Sequence, residues 1–107
     1  MKYQLYSDPN NVFLDSSFNG VIRLTPNAAL ELCDIAINYK SYIDYYECGF
    51  WHSDKNAYEG REVWSQGKNA IQIKDILENN SLAKKSIISD IEEGYNVFEI
   101  KVCFLKF

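Results

Sequence analysis

The stretch from Thr25 to Trp51 constrains the fold most, because a helix pattern passes there into a strand pattern with no loop between them. The Thr25 hydroxyl is suited to accept a hydrogen bond from the first helical turn, and Pro26 fits the first helical position. Between Ala28 and Tyr39 the apolar residues fall on one broad arc at about 100° per residue. This pattern predicts a helix over about 26–40 with one face in the core.

The helical pattern ends near Lys40, because a longer helix would place Lys40, Asp44 and Glu47 in the middle of the apolar arc. The residues from Tyr42 to Trp51 are mostly aromatic or β-branched, which favours a strand. We therefore predict a strand with aromatic residues on both faces, or an aromatic loop that leads into a strand.

Three further elements have clear patterns. The segment Val21–Leu24 is short and β-branched and predicts a strand. Ser81 is placed to cap a second amphipathic helix over about 82–93, and Gly94 is placed to end it. In Asn96–Phe107 apolar and polar residues alternate, as expected of a half-buried strand.

The remaining segments have weaker patterns. We predict a short strand at Tyr3–Tyr6, a short helix that includes Val12–Phe18, and a strand at Glu62–Trp64. His52–Gly60 is rich in turn residues and is predicted to be the main loop. Ala70–Leu77 fits a strand followed by a helical turn, or else a short helix. Together the elements predict an α+β fold, mainly an antiparallel sheet with two principal helices packed on it.

Length and composition indicate one soluble globular domain over 1–107. The chain has 107 residues, of which 47% are hydrophobic and 24% charged, and its net charge is −4. That charge argues against direct binding to nucleic acid or to an anionic membrane and favours a basic protein partner. The three cysteines, Cys33, Cys48 and Cys103, show no CxxC spacing, and the first residues contain no apolar signal segment, so we expect a cytoplasmic protein.

No catalytic constellation stands out. His52, with Cys48 and Asp54 nearby in sequence, lacks the paired spacing that a metal site requires. The chain has no GxSxG, GxGxxG or GxxxxGK[ST] motif. We therefore predict no catalytic residue, no cofactor and no metal ion. The alternative is a small cytosolic enzyme or ligand-binding domain with a pocket near His52, the one side chain that titrates near neutrality.

Two features indicate a binding surface. The segment Tyr42–Glu59 interleaves aromatic rings with carboxylates, and tyrosine and tryptophan dominate interface hot spots. In the second predicted helix, Lys84 and Lys85 lie near the N-terminus and the cluster Asp90–Glu93 lies at the C-terminus, against the helix dipole. Local rules broken without compensation often mark functional sites.

These two features resemble the small acidic immunity proteins of bacterial contact-dependent inhibition and related polymorphic toxin systems. The resemblance implies a cytoplasmic inhibitor that binds its cognate toxin, often a basic nuclease, and covers the active site with carboxylates where phosphates would lie. An exposed edge of Asn96–Phe107 offers a second docking mode, by strand addition. The predicted partner-binding residues are Asp44, Tyr45, Glu47, Trp51, Asp54, Tyr58, Glu59, Asp90, Glu92 and Glu93.

Overall fold

A four-stranded antiparallel sheet in the order β1-β4-β2-β3 organises the computed structural model, which describes residues 4–14, 21–67 and 71–105. The strands are β1 (Val21–Leu24), β2 (Ser41–His52), β3 (Ala57–Ser65) and β4 (Val97–Phe104). The α-helices are α1 (Asn11–Leu14), α2 (Pro26–Ile35) and α3 (Ile76–Glu92), and 3₁₀ turns span Ala36–Tyr39 and Ile73–Asp75. The predicted α+β class is confirmed.

Helix α2 passes directly into β2, as the sequence predicts. The Thr25 hydroxyl accepts a hydrogen bond from the Ala28 N–H at 3.4 Å, and Pro26 begins the helix. The 3₁₀ turn extends the helical segment to Tyr39. Lys40 then adopts a left-handed conformation with φ of 52°, and its N–H caps the last carbonyls. The next residue is the first of β2, so no loop separates the two elements.

The main core lies between one face of the sheet and helices α2 and α3. Ile22, Tyr46 and Ile100 come from three neighbouring strands and are fully or almost fully buried. Leu32 of α2 and Ile87 of α3 pack against them from the helical layer. The β4 residues that face this layer are the apolar set of the predicted alternation, which confirms the strand prediction for residues 97–104.

Strand β4 is an interior strand, so the predicted exposed edge at Asn96–Phe107 is wrong. It pairs with β1 on one side and with β2 on the other. The alternation of a single strand indicates which face is buried but says nothing about its neighbours. In the described sheet the two edge strands are β1 and β3, and the residues of β3 are half-buried or exposed.

Helix α3 begins at Ile76, six residues before the predicted start near 82. Ile71 and Gln72 have no regular structure, so the strand predicted within Ala70–Leu77 is wrong for the residues described. Ala70 itself lies outside them. The helical turn predicted after this strand is confirmed, because residues 73–75 form the 3₁₀ turn that leads into α3. Because of the earlier start, Lys84 and Lys85 lie in the middle of the helix. The predicted conflict with the dipole therefore remains only at the acidic C-terminus.

The early start of α3 is explained by two buried asparagines that bind the backbone of β2. Asn80 Oδ1 accepts a hydrogen bond from the Ile43 N–H, and Asn79 Nδ2 donates to the Ile43 carbonyl, both at 2.9 Å. Strand β3 ends opposite Tyr45, so Ile43 has a strand neighbour on the β4 side only. The two amides therefore satisfy backbone groups that a further strand would otherwise satisfy.

The predicted main loop at His52–Gly60 is wrong, because β2 and β3 form a hairpin. Only the four residues from Ser53 to Asn56 form the turn, and Asn56 adopts a positive φ of 48°. Strand β3 therefore starts earlier than the predicted strand Glu62–Trp64. Its first three residues, 57–59, are all half-buried and Gly60 and Arg61 are exposed, so it lacks the apolar alternation by which strands are predicted.

The N-terminal predictions are only partly testable. Among residues 4–6, Tyr6 alone pairs, in an isolated parallel bridge with Leu24, so no regular strand forms there. Asp8 Oδ1 accepts a hydrogen bond from the Asn10 N–H at 3.0 Å and stabilises the turn before α1. Tyr3 and the predicted helical residues after Leu14 lie outside the described residues.

Candidate functional site: the open face of the sheet

The sheet has one face turned away from α2 and α3, which we call the open face. Residues directly opposite each other in an antiparallel pair point to the same face. The register pairs Tyr45 with Lys101, Glu47 with both Val63 and Glu99, Trp51 with Tyr58, and Arg23 with Glu99. The open face is therefore lined by Arg23, Tyr45, Glu47, Trp51, Tyr58, Val63, Glu99 and Lys101.

Four of the predicted partner-binding residues come together on this face. They are Tyr45, Glu47, Trp51 and Tyr58, from the two strands of the hairpin. Tyr45 is exposed and the other three are half-buried. Rings held in a sheet in this way offer a large contact area with little entropy left to lose on binding.

Hydrogen bonding fixes the Glu47 carboxylate at the centre of the open face. The Tyr58 hydroxyl donates to Glu47 Oε1 at 2.7 Å. Burial raises the pKa of the Tyr58 phenol well above its ordinary value, and the hydrogen bond to Glu47 adds to this shift. Tyr58 therefore remains a hydrogen-bond donor throughout the physiological pH range.

A second carboxylate lies beside the first. Glu99 is directly opposite Glu47 in the β2–β4 pair, an arrangement in which like charges repel. Arg23 offsets this repulsion, because its Nε lies 3.0 Å from Glu99 Oε2 and its guanidinium lies 5.6 Å from the centre of the Tyr58 ring. The open face thus presents two carboxylates that its own side chains hold in place.

Three other predicted residues lie at the ends of the hairpin. Asp44 occupies a bulge of β2 and accepts two hydrogen bonds from Gln66, at its backbone oxygen and at Oδ1. Asp54 is exposed in the hairpin turn. Glu59 points to the other face, opposite Phe50, where it forms ion pairs with His52 and Arg61. The structure does not bring these three together with the open-face group.

The predicted acidic cluster at the end of α3 divides into two kinds of residue. Asp90 Oδ2 accepts a 2.5 Å hydrogen bond from the hydroxyl of Tyr46, which also bonds to Ser86 Oγ at 2.5 Å. Because Tyr46 is fully buried, this Asp90 contact stabilises the core. Glu92 and Glu93 are exposed and leave their charge at the helix end. These two lie away from the open face.

His52 lies near the hairpin turn and is exposed, with Nε2 3.4 Å from Glu59 Oε1. Cys48 is fully buried among core residues, and its burial raises the pKa of the thiol to about 12. A thiol with that pKa is protonated at neutral pH and is a poor nucleophile. Within the described ranges 4–14, 21–67 and 71–105, no group of three His, Cys, Asp or Glu side chains is placed to hold a metal ion.

Sequence reasoning missed half of the open face, namely Arg23, Val63, Glu99 and Lys101. The alternation in β4 placed Glu99 and Lys101 on the polar side of that strand. It did not indicate that this side continues the face of Tyr45 and Glu47, because the strand order and register come from tertiary contacts. Val63, 66% exposed, carried no signal beyond its β propensity.

Comparison with known proteins supplies the family. No protein-family profile matches the chain. The colicin-E5 immunity protein of Escherichia coli is 32% identical to it over 79 residues, which span 74% of this chain and 95% of that protein. The colicin-E5 immunity protein in ColE9, also from Escherichia coli, is 30% identical over 79 residues with the same coverage. The chain belongs to the colicin E5 immunity protein family.

Membership in the colicin E5 immunity family confirms the predicted resemblance to bacterial toxin immunity proteins. Both relatives are colicin immunity proteins by name, so the resemblance to contact-dependent inhibition systems stays a prediction. Within the described part of this immunity protein, no helix has the length and apolar character needed to cross a membrane.

Proposed function

We propose that this immunity protein binds its cognate toxin domain and neutralises it by covering the active site with the open face of the sheet. The observation that carries the proposal is the convergence of Tyr45, Glu47, Trp51 and Tyr58 on one face that α2 and α3 leave uncovered. The family supplies the partner class, since the relatives are named for immunity to a colicin.

The chemistry of the open face suits a basic partner such as a nuclease. A nuclease must attract phosphates, so its active site carries positive charge. The pair Glu47 and Glu99 presents two carboxylates side by side, where the phosphates of the substrate would otherwise bind. The rings of Tyr45 and Trp51 anchor the complex, because amphipathic aromatic residues contribute most to binding energy. In this arrangement no bond is made or broken, so the protein is not an enzyme.

The other predicted contact residues take lesser roles in the proposal. Asp54, Glu92 and Glu93 are exposed and add to the negative field that steers a basic toxin toward the protein. Asp44 and Asp90 already accept hydrogen bonds within the protein, so we place them outside the centre of the contact. We propose that the complex forms in the cytoplasm and involves neither nucleic acid nor membrane.

Co-expression tests the proposal. The cognate toxin domain is expressed in bacterial cells with or without the immunity protein. We expect survival with the wild type and killing when the Tyr45→Ala and Trp51→Ala substitutions are combined. Glu31→Gln, an exposed carboxylate change on α2, serves as the control and retains protection. Killing in the presence of well-expressed wild-type protein would contradict the proposal.

A further inference from the structure

A groove of about 300 Å³ lies beside the open face, between the end of β3 and the first half of α3. The indole of Trp64 forms one wall and is stacked on the buried ring of Tyr46, with 5.8 Å between ring centres. Ile71 and Leu82 add apolar surface, and Leu82 is 50% exposed. The core therefore holds the aromatic wall in place while the groove stays open to solvent.

The opposite wall carries two carboxylates from the start of α3. Asp75 is the N-cap residue of α3, yet its side chain makes no capping hydrogen bond. Glu78 follows three residues later, which places both carboxylates on one side of the helix. Among the described residues that line the groove there is no lysine, arginine or histidine. The described part of the lining is therefore net negative.

The amide of Asn79 provides a further acceptor at the groove. Asn79 lines the groove but is only 7% exposed, and its Nδ2 is used in hydrogen bonds to the Ile43 carbonyl and Asn80. Among the residues that the structure describes, no hydrogen bond to Asn79 Oδ1 is found. Because Asn79 lines the groove, this oxygen is open to a donor that enters it.

We propose that this groove takes an arginine side chain of the toxin. A guanidinium is planar and weakly hydrated, stacks on indole rings and donates in a fork that matches carboxylates. Trp64 supplies the stacking surface, Asp75 and Glu78 supply the counter-charge, and Asn79 supplies a neutral acceptor. Arginine fits this set of groups better than lysine, whose ammonium is a compact and strongly hydrated charge.

The groove lies on the helical side of the sheet, because Trp64 is opposite the core residue Tyr46, and it adjoins the proposed toxin-binding face across the β3 edge. Ser65 lines the groove and is also the residue directly opposite Tyr45 in the β2–β3 pair. A toxin seated on Tyr45 therefore reaches the groove by passing around the β3 edge of the sheet. The inference rests on the proposed function, because it assigns one subsite of the same interface.

A small-molecule titration tests the groove without the toxin. The chemical shift of the Trp64 indole N–H is followed by NMR while N-acetyl-arginine amide is added to the protein. N-acetyl-citrulline amide, which has nearly the same shape but no charge, is the control ligand. We expect a saturable shift with the arginine compound only, and its loss when Asp75→Asn and Glu78→Gln are combined. Equal shifts with both compounds, or none, would overturn the assignment of a guanidinium site.

Binding to the toxin domain separates the two proposals. We expect the combined Asp75→Asn and Glu78→Gln variant to bind about 10- to 100-fold more weakly, and the control Glu31→Gln to bind as the wild type does. Circular dichroism and urea unfolding verify that each variant is folded. If the wild type binds tightly and the groove variant binds equally well, the groove proposal fails and the proposed function stands. If the wild type does not bind the toxin domain, both fail.

Discussion

Tyr58 reaches over Gly60 and donates a hydrogen bond from its hydroxyl to Glu47. Glu47 lies on the neighbouring strand, eleven residues earlier in the chain. Gly60 leaves the necessary room, because a Cβ there would lie 2.3 Å from Glu47 Oε1. A glycine in the exposed first half of β3 thus has a specific role. It lets the carboxylate and the ring pack side by side, which orients the charge that we place at the centre of the interface.

Stability should depend on alkaline pH through buried phenols and thiols. Burial raises the pKa of Tyr58 above its ordinary value and that of Cys33 and Cys48 from 9.0 to about 12. A raised folded-state pKa favours the protonated form, so its contribution is complete below the unfolded pKa and is lost as pH rises. We expect the free energy of unfolding in urea to fall from about pH 9 upward.

The substitution Tyr58→Phe tests how much the Tyr58 phenol contributes to the pH dependence of the free energy of unfolding. It should reduce stability at pH 7 by about 0.5–1.5 kcal/mol, through loss of the hydrogen bond to Glu47, and make the decline above pH 10 shallower. Tyr45→Phe is the control, since Tyr45 is 37% exposed and no hydrogen bond of its hydroxyl is found in the described residues. Identical pH profiles for the wild type and Tyr58→Phe would contradict the expected role.

The contact between α3 and the start of β2 should be important for stability. Asn80→Ala leaves the buried Ile43 N–H without an acceptor, and such a loss costs about 1–3 kcal/mol. Asn38→Ala, at an exposed position of the 3₁₀ turn, should cost much less. Urea unfolding followed by tryptophan fluorescence measures both. Equal stability of the two variants would show that Asn80 does not stabilise the edge of β2.

Tyr45 should contribute to toxin binding and little to stability. Tyr45→Ala removes an exposed ring from the open face, and we expect affinity for the toxin domain to fall about tenfold or more. Ile88→Ala removes an exposed apolar side chain of 41% accessibility from α3 and should leave affinity unchanged. Calorimetric titration measures both affinities. A larger loss with Ile88→Ala would move the interface to the helical layer.

The exposed carboxylates at the end of α3 should affect association more than dissociation. Reversing both charges, with Glu92→Lys and Glu93→Lys, should slow association with a basic toxin and make the rate less sensitive to salt. Asp90 is kept, because it anchors Tyr46. Stopped-flow measurements at several salt concentrations provide the rates. Rates equal to those of the wild type at low salt would remove these residues from the interface.

The sequence predicted those elements whose local pattern and tertiary role agree. The helix that starts at Thr25, the strand that follows it and the alternation of β4 all present one apolar side, so burial reinforces local preference. The first half of β3 has no such apolar side, since Ala57, Tyr58 and Glu59 are all half-buried. Asn79 and Asn80 fell outside the predicted elements, since they stabilise the fold through hydrogen bonds to a strand almost forty residues earlier.

The residue types of the candidate site could be predicted from the sequence, but their arrangement in space could not. Interleaved rings and carboxylates in the hairpin indicated a binding surface, and four of those residues share the open face. The position of Glu99 beside Glu47 depends on the β2–β4 register, which no local pattern specifies. The same holds for the groove, because Trp64 and Glu78 meet only once α3 packs beside the end of β3.

The most direct test measures the toxin's own activity while purified immunity protein is added. The cognate toxin domain is assayed on its substrate at fixed concentration. If the open face covers the active site, activity falls in proportion to added protein and reaches zero at a one-to-one ratio, and excess substrate slows the onset of inhibition. Full toxin activity in a saturated one-to-one complex would contradict the account.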